Sequence, residues 1–290
     1  MNTVYNLVGI SKQNFHQRLD HMMDREDEKY QMLKLIKDVR VDHPGMSARY
    51  MYKLIRPKYM GRDKFETLCY ENGFRVRIPK NYRRTTDSRG VTRFENLVAQ
   101  YELTGVNQVF VSDITYYEIG SRFYYLTFIM DLYSRKIKGY SASESLHTIN
   151  TTIPALKMVL AATSKEQTKG TIIHSDGGGQ YYCKEFRDII DRREMISSMG
   201  ENVYENANAE RLNGIIKNSY LRLYNPQNFK ELTIQLSRAV EKYNQEKPHK
   251  ALNYLSPNTF EGQFTLSTEN QLINKRKKVA KKENLMMVMN

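Results

Sequence analysis

The chain contains no tryptophan, two cysteines, seven prolines and no apolar stretch of membrane-spanning length. Cys69 and Cys183 stand far apart, in a spacing that matches neither a zinc site nor a thioredoxin-like motif. They imply no disulfide framework and suit a reducing cytosol. A membrane span needs roughly 18–20 consecutive apolar residues, which nothing here reaches. The opening MNTVYNLVGISKQ has no basic segment leading into an apolar one of the secretory kind. Acidic charge is also short, with 32 Asp and Glu against 45 Lys and Arg, leaving a formal net charge of +13. That imbalance suits a polyanionic partner, nucleic acid being the usual one, with plain colloidal solubility as the alternative. The 290 residues suffice for one core of roughly 120–150 residues and one or two smaller domains. The 21 Tyr and 11 Phe supply stacking-capable rings, most of which belong in a core.

Residues 1–42 are helical in pattern, with Ser11 placed to cap KQNFHQRLDHMM and a second amphipathic run at Tyr30, Leu33, Ile36 and Val39. His43-Pro44-Gly45 breaks the pattern. Over 43–75, Ser47 can cap a short helix ending near Arg56-Pro57. A further helix fits Arg62 to Asn72, with Gly73 as its stop, Phe65 and Leu68 inward and Arg62 and Lys64 outward. Two short helices across a tight turn suit a helix-turn-helix whose second helix carries Arg62 and Lys64 to DNA; a helical cap on the core is the alternative. Residues 76–104 read as a basic linker holding Arg83 and Arg84, either tracking phosphates or merely solvated.

From residue 105 the pattern turns to strands. Val109–Tyr117, Phe123–Asp131 and Lys136–Ser141, joined by short turns, predict an antiparallel meander. A helix follows over about 148–162, starting late or bent because Pro154 fits its first turn poorly. Then come a buried strand at Thr171–His174, a helix at Cys183–Arg193, a short strand at Ile196–Met199 and a helix from Asn206. This βββαβαβα order over 105–225 suits an RNase H-like α/β layer fold. Residues 226–265 hold an amphipathic helix at Phe229–Tyr243 and a loop with Lys247, His249 and Lys250, which either meet DNA or flank a segment packed on the core. Residues 266–290 are a basic tail with the composition of a disordered segment.

Three acids stand out in this frame. Asp113 shares a strand face with Val109, Val111, Thr115 and Tyr117, a costly position for a carboxylate. Asp176 follows Thr171, Ile172 and Ile173 and precedes Gly177, Gly178 and Gly179, at a strand's end beside a tight loop with room for a ligand. Glu210 lies on a helix whose apolar face is Leu212, Ile215, Ile216 and Tyr220, so it shares the polar face with Asn213 or Gly214 and with Lys217. Asn206 and Asn208 are placed to cap that helix. Two strand-borne aspartates and a helix-borne glutamate can converge on a pair of hard divalent cations, an arrangement suited to in-line displacement at a phosphodiester. For any one acid alone, a salt bridge is the simpler reading. Asp131 is explained by turn capping, and His174 by a hydrogen bond inside the sheet.

The blocks NQVFVSDITYYEIGSRFYYLTFIMDLYSRKIKGY, IIHSDGGGQY, SMGENVYENANAERLNGIIK and YNQEKPHKALNYLSPNTF together resemble the transposases of the bacterial insertion sequence three family, over roughly residues 40–262. The resemblance implies an α/β RNase H-like integrase catalytic core, a mixed five-stranded sheet flanked by helices, with an N-terminal all-helical helix-turn-helix domain and a basic C-terminal tail. Asp113, Asp176 and Glu210 match the family's catalytic, metal-binding triad, and Lys217 matches a basic residue near substrate DNA. Two Mg²⁺ ions, with Mn²⁺ as a substitute, are the implied cofactors. The implied partners are DNA, as terminal inverted repeats and target, further copies of the chain, and a first-reading-frame protein as fusion or partner. The implied setting is the bacterial cytoplasm at the nucleoid, with no membrane and no covalent protein–DNA intermediate. Phe110 stands where the family usually has Trp, Glu205-Asn206 where it has Asp-Asn, and Lys247-Pro248-His249 where it has Arg-Pro-His. The 33 residues between Asp176 and Glu210 are two fewer than is common in the family. A non-catalytic DNA-binding regulator and an RNase H-like nuclease are the other readings.

Overall fold

The structure, a computed structural model, describes residues 9, 11–76, 94–200 and 206–266. Arg83, Arg84 and nearly all of the basic tail lie outside the described residues. The chain divides into two compact units, Met1–Arg77 and Ile78–Asn290.

In the first unit, helix α1 (Lys12–Asp42) is one continuous helix rather than two runs, and Ser11 Oγ accepts the Asn14 N–H at 3.1 Å as its cap. α2 (Ala48–Ile55) and α3 (Arg62–Glu71) follow. Ser47 occupies the N-cap position of α2 without a side-chain bond, and Gly73 ends α3 with a φ of 76°. Ile36, Met51, Phe65 and Cys69 form a small closed core. The Arg40 guanidinium ties its edges together by donating to the carbonyls of Pro44, Met46 and Phe74 at 2.9, 2.5 and 2.7 Å. A partly buried cation is tolerable there because several carbonyl oxygens replace its water.

The second unit is built on a mixed sheet of five strands, β1 (Val109–Ile119), β2 (Arg122–Asp131), β3 (Ile137–Ser143), β4 (Ile172–Ser175) and β5 (Ile196–Met199). Their spatial order is β3-β2-β1-β4-β5, with the first three antiparallel and β1-β4-β5 parallel. Parallel neighbours need crossovers, which α4 (Thr152–Ala161) and α5 (Lys184–Arg192) supply. Pro154 does delay α4: a 3₁₀ turn at Thr148–Asn150 comes first, and the proline falls in the first turn, where no N–H is required of it. α4 and α5 cover the sheet face that presents Phe110, Ile129 and Ile173. The opposite face, with Val109, Val111, Phe128 and Ile172, lies beneath α6 (Ala207–Ile215) and α7 (Phe229–Gln245). A last helix spans 257–266.

One close approach sets how near α4 lies to β3. A Cβ on Gly139 would overlap the Ala155 carbonyl oxygen and fall 2.8 Å from Val159 Cγ2. Gly139→Ala must therefore push helix and sheet apart, and is expected to cost about 2–3 kcal/mol. Gly262→Ala, in the last helix with nothing within 4 Å of its Cβ, should be neutral or mildly stabilising. Thermal melts of the two variants check the contrast.

Candidate active site

The parallel pairing of β1 with β4 is where the site begins. Val109 pairs with Ile172, Phe110 with Ile173 and Val111 with His174. Carried on by two residues, the same offset brings Asp176 beside Asp113 on the same face of the sheet. Asp113 sits mid-strand opposite Phe128. Asp176 lies just past the end of β4, where its Oδ1 accepts the Gly178 N–H at 3.1 Å. A side chain at Gly178 would crowd that carboxylate, because its Cβ would lie 3.0 Å from Asp176 Oδ1. Tyr182 Oη donates to the Asp176 carbonyl at 2.7 Å and fixes the loop from behind.

Helix α6 supplies the third acid. Ala209 and Leu212 bury its inner face, and the helix continues through a π turn at Ile216–Leu221 into a last turn at Arg222–Tyr224. It runs alongside β1, so its polar side meets the strand in register. Asn213 Nδ2 donates to Asp113 Oδ2 at 2.6 Å, and Lys217 Nζ donates to Thr115 Oγ1 at 2.6 Å. The match is geometric: four helical residues rise about 6 Å, close to the roughly 6.8 Å of two strand residues. Asn206 stands at the N-cap position but does not cap. Its Nδ2 instead donates to the Ser112 carbonyl at 3.0 Å, and Asn208 accepts from Arg135 Nη1 at 2.7 Å, so both asparagines tie the helix to the sheet unit rather than close its own backbone.

Asp113 and Glu210 both lie within reach of the Asp176 charge. The Asp113 carboxyl is pushed up to about 8, by burial first and then by the negative charges of Asp176 and Glu210, with Lys217 opposing. Burial raises Asp176, with the Gly178 N–H working against it, and raises Glu210, to which Asp176 adds. Among the described residues, no three His, Cys, Asp or Glu side chains close on a single point as a finished metal cage. The carboxylates are near enough to repel yet not drawn onto one centre. An all-oxygen donor set carrying mutual repulsion nevertheless fits a hard divalent cation, whose charge would relieve that repulsion. Asn213 Oδ1, buried beside the site without a partner, adds one more oxygen in the same place.

The remaining predicted residues fall elsewhere. Lys247 Nζ lies 5.7 Å above the Tyr243 ring, and His249 meets the same ring edge-on at 4.8 Å. Lys250 is exposed. In the first unit, Lys64 is exposed and the Arg62 guanidinium is taken up by Asp63 at 2.7 Å and Glu66 at 3.8 Å. Asp131 caps its own turn, accepting from Tyr133 and Ser134, and also accepts from Asn107. His174 Nδ1 pairs with Ser198 Oγ at 3.0 Å inside the sheet. The Tyr182 hydroxyl and the Asn206 tether were not anticipated from sequence, since neither has a signal beyond residue type.

The raised Asp113 carboxyl has a stability consequence. An unfolded aspartate titrates near 3.9, so in metal-free protein the native state holds this proton between about pH 4 and pH 8. The stabilisation is complete below about pH 4 and is lost as pH rises through about 8. Asp113→Asn should therefore flatten the fall in melting temperature over pH 5–8.5 in chelator and melt a few degrees above wild type at the alkaline end. Parallel pH profiles for the two proteins would mean that the carboxyl is not held in this environment.

Comparison with known proteins gives the same reading. The integrase core domain family matches residues 104–202, and a second integrase core domain family matches 192–257. An insertion element IS600 protein of 31 kDa from Shigella sonnei is 29% identical over 269 residues, covering 89% of this chain and 97% of its own. The transposase of insertion sequence IS629 from Shigella sonnei is 27% identical, over 66% of this chain and 64% of that protein. The InsF transposase of an IS3 element in Escherichia coli K12 is 32% identical, over 46% of this chain and 44% of its own length. Among solved structures, the HTLV-2 integrase catalytic core domain aligns with 54% of this chain and 97% of that one, at 20% identity and a TM-score of 0.45. The chain carries an integrase core domain and is similar to transposases of bacterial insertion sequences, the IS3 element's among them.

Proposed function

We propose that this chain cleaves and rejoins DNA strands at the terminal inverted repeats of its element, with Asp113, Asp176 and Glu210 as a DDE triad. The observation that carries the proposal is the coupling of three carboxylates from two neighbouring strands and one helix, on a chain whose net charge is +13. Asp176 raises the proton affinity of both Asp113 and Glu210, and Glu210 that of Asp113, a cost in stability that function at this place would explain. Two Mg²⁺ ions, for which Mn²⁺ can substitute, would when bound supply the Lewis acidity that activates an attacking oxygen and stabilises a leaving one.

The chain's own residues do the positioning. Asn213 holds one oxygen of Asp113 and so fixes the direction of the carboxylate. The Gly178 N–H orients Asp176. Glu210, exposed at the start of α6, completes the set from the solvent side. Lys217, anchored by Thr115 beside Asp113, is placed to take a substrate phosphate. Water serves as nucleophile for nicking, and the freed 3′-hydroxyl for joining. Residues 43–75, as a helix-turn-helix with Arg62 and Lys64, together with the linker residues Arg83 and Arg84, bind the repeats. Lys247, His249 and Lys250 contribute from the segment that follows α7. Synapsis of two ends calls for at least two copies on DNA, with the first-reading-frame protein as a fusion or partner. The setting is the cytoplasm at the nucleoid.

Amplification of joined element ends, in cells carrying the gene with its native flanks, tests the reading. Wild type should yield junctions, and Glu210→Gln, which keeps shape and removes the charge, should reduce them by at least about 100-fold. Equal yields from both would remove Glu210 from the chemistry. Silence from wild type even with the upstream frame supplied would leave a DNA-binding regulator as the better account.

A further inference from the structure

The last part of the stretch that reads in sequence as a linker is built into the sheet. Strand β5 stands at one end of the five-strand order, and residues 94–98 run along the side of it that faces away from β4. The Met199 N–H donates to the Glu95 carbonyl at 3.4 Å, and the Ser198 hydroxyl donates to the same carbonyl at 3.2 Å. The Leu97 N–H in turn donates to Ser198 Oγ at 2.9 Å. Asn96 Oδ1 accepts the N–H groups of Val98 and Ala99 and turns the chain away from the strand. Phe94 packs with the core on the α4 and α5 side of the sheet, whereas Leu97 and Val98 pack with the core on the α6 and α7 side. The segment is therefore a strap around a strand edge that would otherwise offer its backbone groups to another chain. It precedes the residues that match the integrase core domain, which begin at 104.

At the start of the strap the Phe94 ring stacks on the Tyr182 ring, with centroids 5.3 Å apart and planes 24° apart. Tyr182 is buried, and its hydroxyl donates to the Asp176 carbonyl at 2.7 Å, with Ser175 Oγ 3.3 Å away. Three glycines follow Asp176, so the loop backbone has little stiffness of its own, and contacts from outside set where the aspartate points. A phenol hydroxyl sits at the far end of a rigid ring, where a small tilt carries it off a hydrogen-bond partner. The Phe94 ring covers one face of Tyr182 and opposes that tilt. We infer that Phe94 is a positioning residue for Asp176, acting through the Tyr182 hydroxyl, and that the strap at 94–98 is a working part of the site. This deepens the strand-transfer reading and rests on it. Because the effect passes through one hydrogen bond, it should vanish when that bond is already absent.

The test uses the full chain and follows Mn²⁺-dependent cleavage of a duplex carrying the element's end, together with amide hydrogen exchange in chelator. Tyr182→Phe removes only the hydroxyl and should raise the Mn²⁺ concentration for half-maximal cleavage about 10-fold, as loss of a group that orients a metal-binding carboxylate does. Phe94→Ala should raise it by a similar factor, and Phe94→Tyr, which keeps the ring, should leave it near the wild-type value. The double variant of Phe94→Ala and Tyr182→Phe should be no worse than Tyr182→Phe alone. In chelator, the amides of residues 177–182 should exchange faster in Phe94→Ala and in Tyr182→Phe than in wild type. Phe229 stacks on Tyr124 in the same manner, at 5.4 Å and 16°. Phe229→Ala should therefore lower the melting temperature while leaving the Mn²⁺ dependence and the exchange of 177–182 as in wild type. If Phe94→Ala fails to fold by circular dichroism, Phe94→Leu, which stays apolar and loses the flat ring, decides in its place. An unchanged half-point for the Phe94 variant, losses that multiply in the double variant, or an equal shift for Phe229→Ala overturns the positioning role and leaves the strand-transfer reading in place. Absence of cleavage by wild type, even with the upstream frame supplied, would instead sink that reading, and this role with it.

Discussion

Everything in the second unit depends on the parallel pairing of β1 with β4. Side chains on a strand alternate with a period of two, so an offset changed by one residue would turn Asp176 to the face beneath α4 and α5. At the observed offset both aspartates face α6. The pairing is itself held by burial, since Val109, Phe110, Val111, Ile172 and Ile173 are all less than 5% exposed and pack on both faces of the sheet. Two apolar layers thus specify the position of two charges.

Helix α6 converts that pairing into a site. Asn206, Asn213 and Lys217 bond to three consecutive sections of β1, at Ser112, Asp113 and Thr115. These bonds orient a helix whose apolar side alone would fix its depth but not its sliding along the strand. The π turn at Ile216–Leu221 begins where Lys217 must reach back to the strand. Such widened turns recur at functional positions because they shift the side-chain phase. The same helix thus brings a cation, Lys217, to the side of β1 that carries Asp113.

Much of this was legible in the chain. Strand alternation in NQVFVSDITYY placed Asp113 on an apolar face, and the same face appears in the structure. The helical spacing after Asn206 grouped Glu210, Asn213 or Gly214, and Lys217; the structure picks Asn213, which with Lys217 bonds to β1. The expectation of asparagine capping was wrong because the strand offered Asn206 a better-placed carbonyl than the helix offered an N–H. Tyr182 behind Asp176 could not be read at all, since a tyrosine six residues along a glycine-rich loop has no periodicity to interpret.

The sequence by itself determined which segments become strands and helices, which of their faces are apolar, and which acids interrupt those faces. These are local properties, set by side-chain period and by turn residues such as Pro154 and Gly73. Only the tertiary structure decided the β1–β4 offset, the partnership of Asn213 with Asp113 across 100 residues, and the reach of Arg135 to Asn208 across 73. Such partnerships join residues far apart in the chain, and their geometry is chosen by how the layers pack, so no pattern within a single segment encodes them.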